Sequence, residues 1–453
     1  MQKQVTKSVV PLGAVVLALV FITLSAERTG AQDAVAYQHD PAHDGSVTIN
    51  GFSPIPRLMW SQDLGGIASP PVIAQGKLYS TVEGTNTATL MALDATSGHL
   101  VWSTPSTITY PGTNYPSYDN GRIFVVNTDQ FVGTLNAYDA SSGTSLWSSV
   151  LTGQYSFSSQ VTAANGVAYT SGSGNSGTVY ALNETTGATI WTAFVLNGDE
   201  SSPAVTNDGV YVAYLGPQTY KLNPQTGSVI WQRGGNEGGG GNTASYYNGR
   251  VYFNDLFNFS SAGPYDALDA ATGALSFNFG GNIGIAYGFP PAFYNGRGYL
   301  DEPSLIEAFD PATGSIEWTR QISGDSFDTP PTVINGVVYV GTMGGQLYIL
   351  DGSSGLPIDV LDIGASIHGL AAGDGLLAVS TGNSLNAYAV PEPSTLVLLV
   401  FGTAWLLFNG RGRRLEPNAS RSAPFVWRRG SRINSTRRFG KRQGIRPFSR
   451  RLS

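Results

Sequence analysis

Two histidines near the N-terminus carry the first candidate chemistry. His39 and His43 alternate with Asp40 and Asp44, and imidazole and carboxylate groups are common metal ligands. This stretch shows no helical period that would hold both imidazoles on one face. A metal site is therefore one hypothesis for these residues, and a structural lead-in loop is the interpretation that we favour.

Acidic pairs form a second group of candidates. Neighbouring carboxylates bind Ca²⁺ or act as the acid and base of a glycosidase. Each pair precedes a strand that we expect to open a structural unit, which places the pairs near one rim. We favour solvated turns over a site. The pairs are Asp199 with Glu200, Asp301 with Glu302, and Asp325 with Asp328.

Two further features of the sequence exclude cysteine-dependent sites and a phosphate-binding loop. The chain of 453 residues has no cysteine, which rules out disulfides, thiolate metal sites and a cysteine nucleophile. The glycine-rich run Gly234–Gly241 contains no lysine and precedes no predicted helix, so it indicates a flexible loop rather than a phosphate cradle. We therefore predict no catalytic and no cofactor-binding residue, and we leave a metal site open.

A short motif that recurs seven times predicts the elements that must position these groups. It reads Asp/Asn-x-x-Thr/Ser-Gly, and its glycines follow one another at steps of 45, 44, 40, 46, 41 and 41 residues. They are Gly98, Gly143, Gly187, Gly227, Gly273, Gly314 and Gly355. Four residues later stand Trp102, Trp147, Trp191, Trp231, Phe277, Trp318 and finally Asp359, where the pattern lapses.

Each repeat holds short alternating apolar runs between turn signals, which indicate four strands. Repeats of this length without helical periodicity predict an all-β propeller, in which each aromatic residue faces the next blade. Three apolar runs follow the last motif, and Arg57–Ser61 around Trp60 looks like a fourth strand without a blade. Pairing these two ends predicts eight blades in a closed ring, with seven as the alternative.

Aromatic residues cluster in the predicted loops and strand starts between blades. They suit a glycan or protein ligand at the rim, and core packing is the equal alternative. They are Tyr110, Tyr115, Tyr118, Tyr155, Phe157, Tyr246, Phe257, Phe259, Phe289 and Tyr294.

The formal net charge of −6 combines two opposite parts. Residues 34–390 hold 8 Lys and Arg against 27 Asp and Glu, a net charge of −19. Residues 409–453 hold 14 Lys and Arg against Glu416 alone, a net charge of +13. An acidic body disfavours nucleic acid as a partner and favours a cation or a neutral glycan.

The N-terminal residues 1–31 have the features of a secretory signal peptide. Lys3 and Lys7 precede the apolar stretch Val9–Leu24, and Thr29–Ala31 offers a small-residue cleavage site. A retained membrane anchor is the alternative. We therefore predict an exported body, located in the periplasm, in the cell envelope or at the outer surface.

The C-terminal end combines a Pro-Glu-Pro tripeptide, fourteen uncharged residues (Thr395–Phe408) and an arginine cluster. A helix of that length spans about 21 Å, against about 30 Å for the hydrocarbon core. The arrangement resembles the PEP-CTERM sorting signal, which implies a membrane helix before processing and an exosortase-type enzyme as partner. A plain anchor is the alternative. The motif residues are Pro391, Glu392, Pro393, Arg411, Arg413 and Arg414.

The sequence Ala-Leu-Asp-Ala-Thr-Ser-Gly that ends at Gly98, followed by Trp102, resembles the tryptophan-docking motif of the PQQ-like repeat propellers. The lead-in Tyr37–Gly45 does so too. This family mixes quinone-dependent dehydrogenases with non-catalytic binding and assembly propellers. In the dehydrogenases the resemblance implies Ca²⁺ held by Glu, Asn and Asp, an Asp base, an Arg and a Trp platform. All six Trp of the body stand in docking positions, so we predict neither PQQ nor Ca²⁺ and keep both as alternatives.

These patterns predict an exported, non-enzymatic binding or scaffold propeller, and the PEP-CTERM resemblance implies a place in exopolysaccharide or extracellular matrix. One alternative is a PQQ- and Ca²⁺-dependent alcohol or sugar dehydrogenase, and another is an assembly-type propeller that binds β-strands. The predicted parts are a signal peptide (1–31), a lead-in loop (32–56), the propeller (57–390), a sorting and membrane segment (391–414) and a basic, disordered tail (415–453).

Overall fold

The computed structural model describes residues 32–391. The gaps are 85–86, 107–114, 130–131, 158, 175, 199–200, 215–217, 236–240, 255–263 and 281–288. The predicted signal peptide, the sorting motif after Pro391 and the basic tail lie outside the described residues, as do Asp199, Glu200, Tyr110, Phe257 and Phe259. None of the helices within the described part is long and apolar enough to cross a membrane.

The described chain folds into eight sheets whose successive strands are antiparallel, preceded by a 3-10 turn at Tyr37–His39. Two strands come before the first complete blade, β1 (Ser46–Val47) and β2 (Phe52–Asp63). Blade 1 contains β3 (Ile67–Ala68), β4 (Val72–Ala74), β5 (Lys77–Gly84), β6 (Thr87–Asp94) and β7 (Leu100–Ser106). Blade 2 contains β8 (Ser117–Asp119), β9 (Arg122–Asp129), β10 (Val132–Asp139) and β11 (Ser145–Leu151). Blade 3 contains β12 (Thr162–Ala164), β13 (Val167–Ser173), β14 (Gly177–Asn183) and β15 (Thr189–Val195).

The next three blades repeat this order. Blade 4 contains β16 (Ala204–Thr206), β17 (Gly209–Tyr214), β18 (Gln218–Leu222) and β19 (Val229–Arg233), with β20 (Gly241–Asn242) paired to β17. Blade 5 contains β21 (Ser245–Tyr247), β22 (Arg250–Asn254), β23 (Tyr265–Asp269) and β24 (Leu275–Phe279). Blade 6 contains β25 (Ala292–Tyr294), β26 (Arg297–Glu302), β27 (Leu305–Phe309) and β28 (Ile316–Gln321).

The last two blades use both ends of the described chain. Blade 7 contains β29 (Thr332–Ile334), β30 (Val337–Gly341), β31 (Gln346–Asp351) and β32 (Pro357–Asp362), and β1 adds to β29 in parallel. Blade 8 contains β33 (Ile367–Gly373), β34 (Leu376–Thr381) and β35 (Ser384–Pro391), and takes β2 as its outer strand. The predicted eight-bladed closure is therefore confirmed, and the seven-bladed alternative is wrong.

The hydrophobic core lies between blades rather than within one sheet. Eight clusters of buried apolar residues occur among the described residues, and each combines the facing surfaces of two neighbouring blades. The cluster around Trp191, for example, joins Tyr169 of blade 3 to Val210 and Tyr220 of blade 4. One cluster also joins blade 8 to blade 1, so burial of apolar surface stabilises a ring without a free end.

The two faces of the ring differ. In five blades the second residue of the motif, in the turn between the third and fourth strands, donates its backbone N–H to the turn between the first and second strands. Ala140, for example, donates to the Gly121 carbonyl at 2.9 Å. Both kinds of turn therefore lie on one side, which we call the turn face. Val390 donates to Gly375 in the same way at 3.1 Å, so β35 ends on the turn face. We call the opposite side, where the first strands begin, the mouth face.

Candidate functional site

The docking residues predicted from the repeat lie at the boundaries between blades. The glycine of each motif lies against the aromatic ring of the preceding blade, and a Cβ added at Gly187 would approach Trp147 Cε3 to 2.6 Å. Gly98 lies against Trp60 in the same way, across the closure between blades 8 and 1. The remaining pairs are Gly143 with Trp102, Gly227 with Trp191, Gly273 with Trp231, Gly314 with Phe277 and Gly355 with Trp318.

Each docking indole also donates a hydrogen bond to the next blade. The acceptor is the carbonyl of the second motif residue, as in Trp147 Nε1 to Glu184 O at 2.9 Å. The other pairs are Trp60 to Ala95, Trp102 to Ala140, Trp191 to Pro224, Trp231 to Ala270 and Trp318 to Gly352. All six indoles of the described propeller thus lie between blades.

The lead-in segment, residues 32–49, lies along the inner strands and contacts every blade. Its backbone carbonyls accept N–H groups from the first strands of blades 2, 4, 5, 6 and 7, and Ala34 forms a two-way bridge with Ile73 of blade 1. Gln32 O accepts from Asp374 of blade 8, and His43 reaches Thr162 of blade 3. This segment therefore closes the central channel that the inner strands of the eight blades surround. We call it the plug.

The histidines of the plug bind protein atoms on different sides of the channel. His43 Nδ1 donates to Ala244 O at 3.0 Å while its Nε2 accepts from Thr162 Oγ1 at 3.2 Å. His39 Nε2 accepts the Ala372 N–H at 2.9 Å. Burial lowers the pKa of both imidazoles to about 4, which keeps them neutral near pH 7. They hold the plug in place and do not converge on a common point.

The carboxylates beside them form a local pair. Asp40 Oδ1 accepts the Asp44 N–H at 3.0 Å, and Asp44 Oδ1 accepts the Ser46 N–H at 2.9 Å. Burial, followed by the charge of Asp40, raises the pKa of Asp44 to about 7. No group of three or more His, Asp or Glu residues that could hold a metal ion occurs within the described ranges. The metal hypothesis for the lead-in thus finds no support in this geometry.

A pocket of about 400 Å³ lies at the mouth face, where blades 1, 2, 6, 7 and 8 meet. We call it the mouth pocket. Tyr115 and Phe289 supply aromatic walls, and Glu83, Asp328 and His368 supply ionisable groups. The rest of the lining is Ile67, Ala68, Ser69 and Pro70.

Elements of the fold position each of these groups. Glu83 lies near the end of β5, opposite Ile67 of β3. Asp328 precedes β29, and its backbone N–H donates to Gly341 O at 2.9 Å. His368 lies at an irregularity in the pairing of β33 with β34, and such a bulge redirects a side chain. Its Nδ1 lies 2.9 Å from Asp328 Oδ2.

Hydrogen bonds from blade 5 and from the plug hold the backbone at Phe289 in place. The Phe289 carbonyl accepts the Tyr265 hydroxyl at 2.8 Å, and the next carbonyl, of Pro290, accepts Gln38 Nε2 of the plug at 2.8 Å. Tyr37 of the plug belongs to the same region, since burial and then the charges of Asp301 and Tyr115 raise the pKa of its hydroxyl. The plug therefore supports the mouth pocket as well as closing the channel.

Buried carboxyl groups accompany the mouth pocket. Asp301 and Glu307 are 3% and 2% exposed, and neither Asp301 Oδ1 nor Glu307 Oε1 has a hydrogen-bond partner within the described structure. Burial raises the Asp301 pKa well above its ordinary value, and Glu302 and Asp328 raise it further. Burial and then Glu302 raise the pKa of Glu307 to about 7. The pKa values of both carboxyl groups are thus raised by other carboxylates of this region as well as by burial.

The prediction for Asp301 and Glu302 as solvated turn residues before an opening strand is wrong. Both lie at the end of β26, the second strand of blade 6, and both are buried. The alternating pattern of β26 was hidden because every residue of this strand after Arg297 is buried. Asp325 lies in a loop, where its carboxylate accepts the Gly344 N–H at 2.9 Å, whereas Asp328 reaches the mouth pocket.

The other rim aromatics divide between the two predicted roles. Tyr118 stacks on Tyr79, and Tyr246 stacks on Tyr211, within the clusters between blades. Phe157 is buried against Tyr180, whereas Tyr155 is 44% exposed and packs over Gly174. Tyr294 is partly buried in the cluster between blades 6 and 7. Only Tyr115 and Phe289 of the described members line the mouth pocket.

Sequence reasoning missed Glu83 and His368 as members of this site. Glu83 is a single acid at a strand end, and His368 owes its direction to a bulge that no residue type announces. Position along the repeat was the signal that could have located the pocket from the sequence, because most lining residues stand just before the first inner strand of a blade.

A family model described as outer membrane protein assembly factor BamB (PQQ_2) matches residues 48–176, 175–284 and 302–390. These three segments cover most of the propeller and more than half of the chain. The chain belongs to this family. The predicted resemblance to PQQ-like repeat propellers is thereby confirmed, and the sorting signal stays a prediction.

Solved structures show the same fold at low identity. BamB from Moraxella catarrhalis is 16% identical, with a TM-score of 0.58 over 75% of this chain and 99% of that chain. The quinohemoprotein alcohol dehydrogenase from Comamonas testosteroni is 15% identical, with a TM-score of 0.61 over 83% and 82% of the two chains. Identities this low establish the propeller architecture alone.

One curated relative is similar over part of its length. Tetrathionate hydrolase from Acidithiobacillus ferrooxidans is 26% identical over 212 residues, which is 42% of each chain. The match thus spans less than half of that protein. Because the similar proteins include enzymes and an assembly factor, family membership does not decide whether this chain is an enzyme.

The described residues at the mouth do not fit PQQ. The lining contains no Arg, Lys or Trp, whereas the family resemblance implies an Arg on the quinone oxygens and a Trp platform. All six propeller indoles donate to the next blade. Gln38 of the plug donates to the Pro290 carbonyl, next to the Phe289 wall of this pocket.

Proposed function

We propose that this protein is an exported, non-enzymatic binding propeller whose ligand site is the mouth pocket. The observation that carries the proposal is the chemistry of the pocket, with two aromatic walls, two carboxylates and no described basic side chain other than His368. Its volume lies at the small end of the range for ligand sites. Aromatic faces stack on sugar rings, so an envelope or matrix glycan is the ligand class that we favour.

The last described strand ends away from the mouth pocket. β35 ends at Pro391 on the turn face, whereas the mouth pocket opens on the opposite face. The sorting signal, its processing enzyme and the membrane segment remain parts of this proposal, in which export depends on residues 1–31.

Binding is tested with the full-length protein immobilised from detergent and probed with neutral and cationic oligosaccharides. We expect saturable binding that falls at least about tenfold in Tyr115→Ala. Tyr155→Ala is the matched control, because Tyr155 is an exposed tyrosine outside the pocket lining. Equal loss in both variants, or no saturable binding to any oligosaccharide, would contradict the proposal.

The rival dehydrogenase function has its own test. Purified protein is mixed with PQQ and Ca²⁺, and both the quinone spectrum and dye reduction with alcohols and aldoses are recorded. We expect no spectral change and no dye reduction. Turnover that requires both additions would replace the proposed function.

A second candidate is β-strand binding, which the family description favours. The outer strands expose apolar side chains around the ring, including Leu100, Leu146, Ile190, Ile230 and Ile316. Retention of unfolded outer-membrane β-barrel protein on the immobilised chain, lost in Leu146→Ser with Ile190→Ser, would support this candidate over glycan binding.

A further inference from the structure

The mouth pocket holds two carboxylates and one imidazole among its described lining residues. Glu83 and Asp328 line the pocket, and His368 is its only described basic side chain. His368 Nδ1 lies 2.9 Å from Asp328 Oδ2, so the imidazole already holds one oxygen of that carboxylate. A ligand that enters the mouth therefore meets two carboxylates and a single described basic group.

Two buried carboxyl groups of blade 6 have raised pKa values. The pKa of Asp301 is raised by burial and then by Glu302 and Asp328, and that of Glu307 by burial and then by Glu302. A positive charge bound in the pocket lowers the cost of ionising these carboxyl groups. Binding of a cation and release of protons are therefore linked.

The pocket shape narrows the choice of cation. Among the described residues no three ligands converge on a metal position. Instead the carboxylates share the pocket with the rings of Tyr115 and Phe289. Ammonium groups bind both carboxylates and aromatic faces, and the apolar face of a sugar stacks on the same rings.

We propose that the mouth pocket binds amino sugars, with a protonated amine directed to Asp328 and Glu83 and a sugar ring stacked on Tyr115 or Phe289. This inference rests on the proposed binding function and names the ligand class for that site. A dianion such as tetrathionate is disfavoured by the same carboxylates, since like charges repel in a partly buried pocket.

The test is calorimetry on the full-length protein in detergent at about pH 6, where an amine is protonated. The probes are a glucosamine tetramer and its N-acetylated counterpart, which has the same rings and no charge. We expect the cationic tetramer to bind at least about tenfold more tightly, a difference of about 1.4 kcal/mol. Added salt should weaken its binding selectively, and binding should release protons to the buffer.

Paired variants identify the site. Asp328→Asn removes a charge while its side-chain oxygen can still accept from His368, and we expect about a tenfold loss for the cationic tetramer only. Asp359→Asn makes the same change on β32, where the carboxylate accepts the Val360 N–H, and should leave affinity unchanged. Thermal unfolding of both variants verifies that the propeller is intact.

The outcomes separate this inference from the proposed function. Equal affinity for the two tetramers, with loss in Tyr115→Ala, would overturn amino-sugar recognition and preserve a neutral-glycan site. Tight binding of tetrathionate that survives Asp328→Asn would also overturn it. Quinone-dependent turnover would instead remove the proposed function itself.

Discussion

At the scale of single residues, one carbonyl acceptor explains both the docking pattern and its exceptions. Phe277 has no N–H, and its acceptor Pro311 O receives the Tyr252 hydroxyl at 2.7 Å. In blade 1 the equivalent tyrosine bond accompanies the indole bond, since Tyr79 and Trp102 both donate to Ala140 O. Asp359 lacks an aromatic ring because its neighbour, blade 8, has no turn between its third and fourth strands. There Tyr339 donates to Pro54 O at 2.6 Å. The motif therefore lapses where its receptor is missing.

Two glycines of blade 3 allow the cost of backbone strain to be measured separately from the cost of a contact with an aromatic ring. Gly187 and Gly166 both have positive φ, +71° and +82°, but only Gly187 lies against Trp147. We expect Gly166→Ala to cost about 1 kcal/mol from backbone strain alone. Gly187→Ala should cost about 2–4 kcal/mol, because its Cβ also overpacks the ring. Urea unfolding midpoints measure both, and equal losses would show that the ring contact contributes nothing.

Glu307 predicts a stability change with pH. Its folded pKa of about 7 exceeds the ordinary glutamate value, so the folded state holds a proton that the unfolded state has lost. The contribution of Glu307 to the free energy of unfolding is therefore fully present below about pH 4.5 and is lost as the pH rises through about 7. Glu307→Gln should therefore stabilise the protein more at pH 8 than at pH 5. Chemical unfolding at both values is the measurement, and a pH-independent difference would contradict it.

At the scale of elements, the closure of blade 8 depends on one long strand from the start of the chain. β2 pairs with β35 in antiparallel register, in which Asp63 is opposite Ser384 and Trp60 is opposite Ala387. The sequence predicted this pairing from the orphan strand around Trp60. It did not predict that β2 begins at Phe52, because the first residues pair irregularly with β35.

A disulfide across this closure should stabilise the ring. The chain has no cysteine, so Asp63→Cys with Ser384→Cys introduces one defined pair. Cross-linking positions so distant in sequence restricts the unfolded chain, and we expect a gain of about 2–4 kcal/mol. Thermal unfolding with and without reductant measures the effect, and each single variant is the control. No difference between the two conditions would argue against closure by β2.

At the scale of the whole molecule, the plug joins all eight blades through a segment of the chain that contributes only the short strand β1 to a blade. Its histidines are neutral and buried, which makes the centre of the ring sensitive to acid. The folded pKa of His43 is about 4, below the ordinary value. Its contribution to stability is present above about pH 6.5 and is lost as the pH falls through about 4.

Substitution of His43 isolates this effect. His43→Gln retains a donor and an acceptor but cannot take up a proton, so the variant should lose less stability than the wild type between pH 7 and pH 4.5. At pH 7 it should be less stable by about 1–2 kcal/mol, because the bonds to Ala244 and Thr162 are disturbed. Unfolding midpoints at the two pH values provide the measurement, and identical pH dependence would assign the acid sensitivity elsewhere.

The sequence by itself determined the repeat, the blade count and the closure. A period of roughly 42 residues, with Gly187 and Trp147 in fixed phase, specifies local turns and one nearest-neighbour contact per blade. Only the tertiary structure decided the site. Glu83, Phe289 and His368 are far apart along the chain, and the ring brings them together at the mouth. The burial of Asp301 and the path of the plug likewise depend on packing from several blades, which no local pattern encodes.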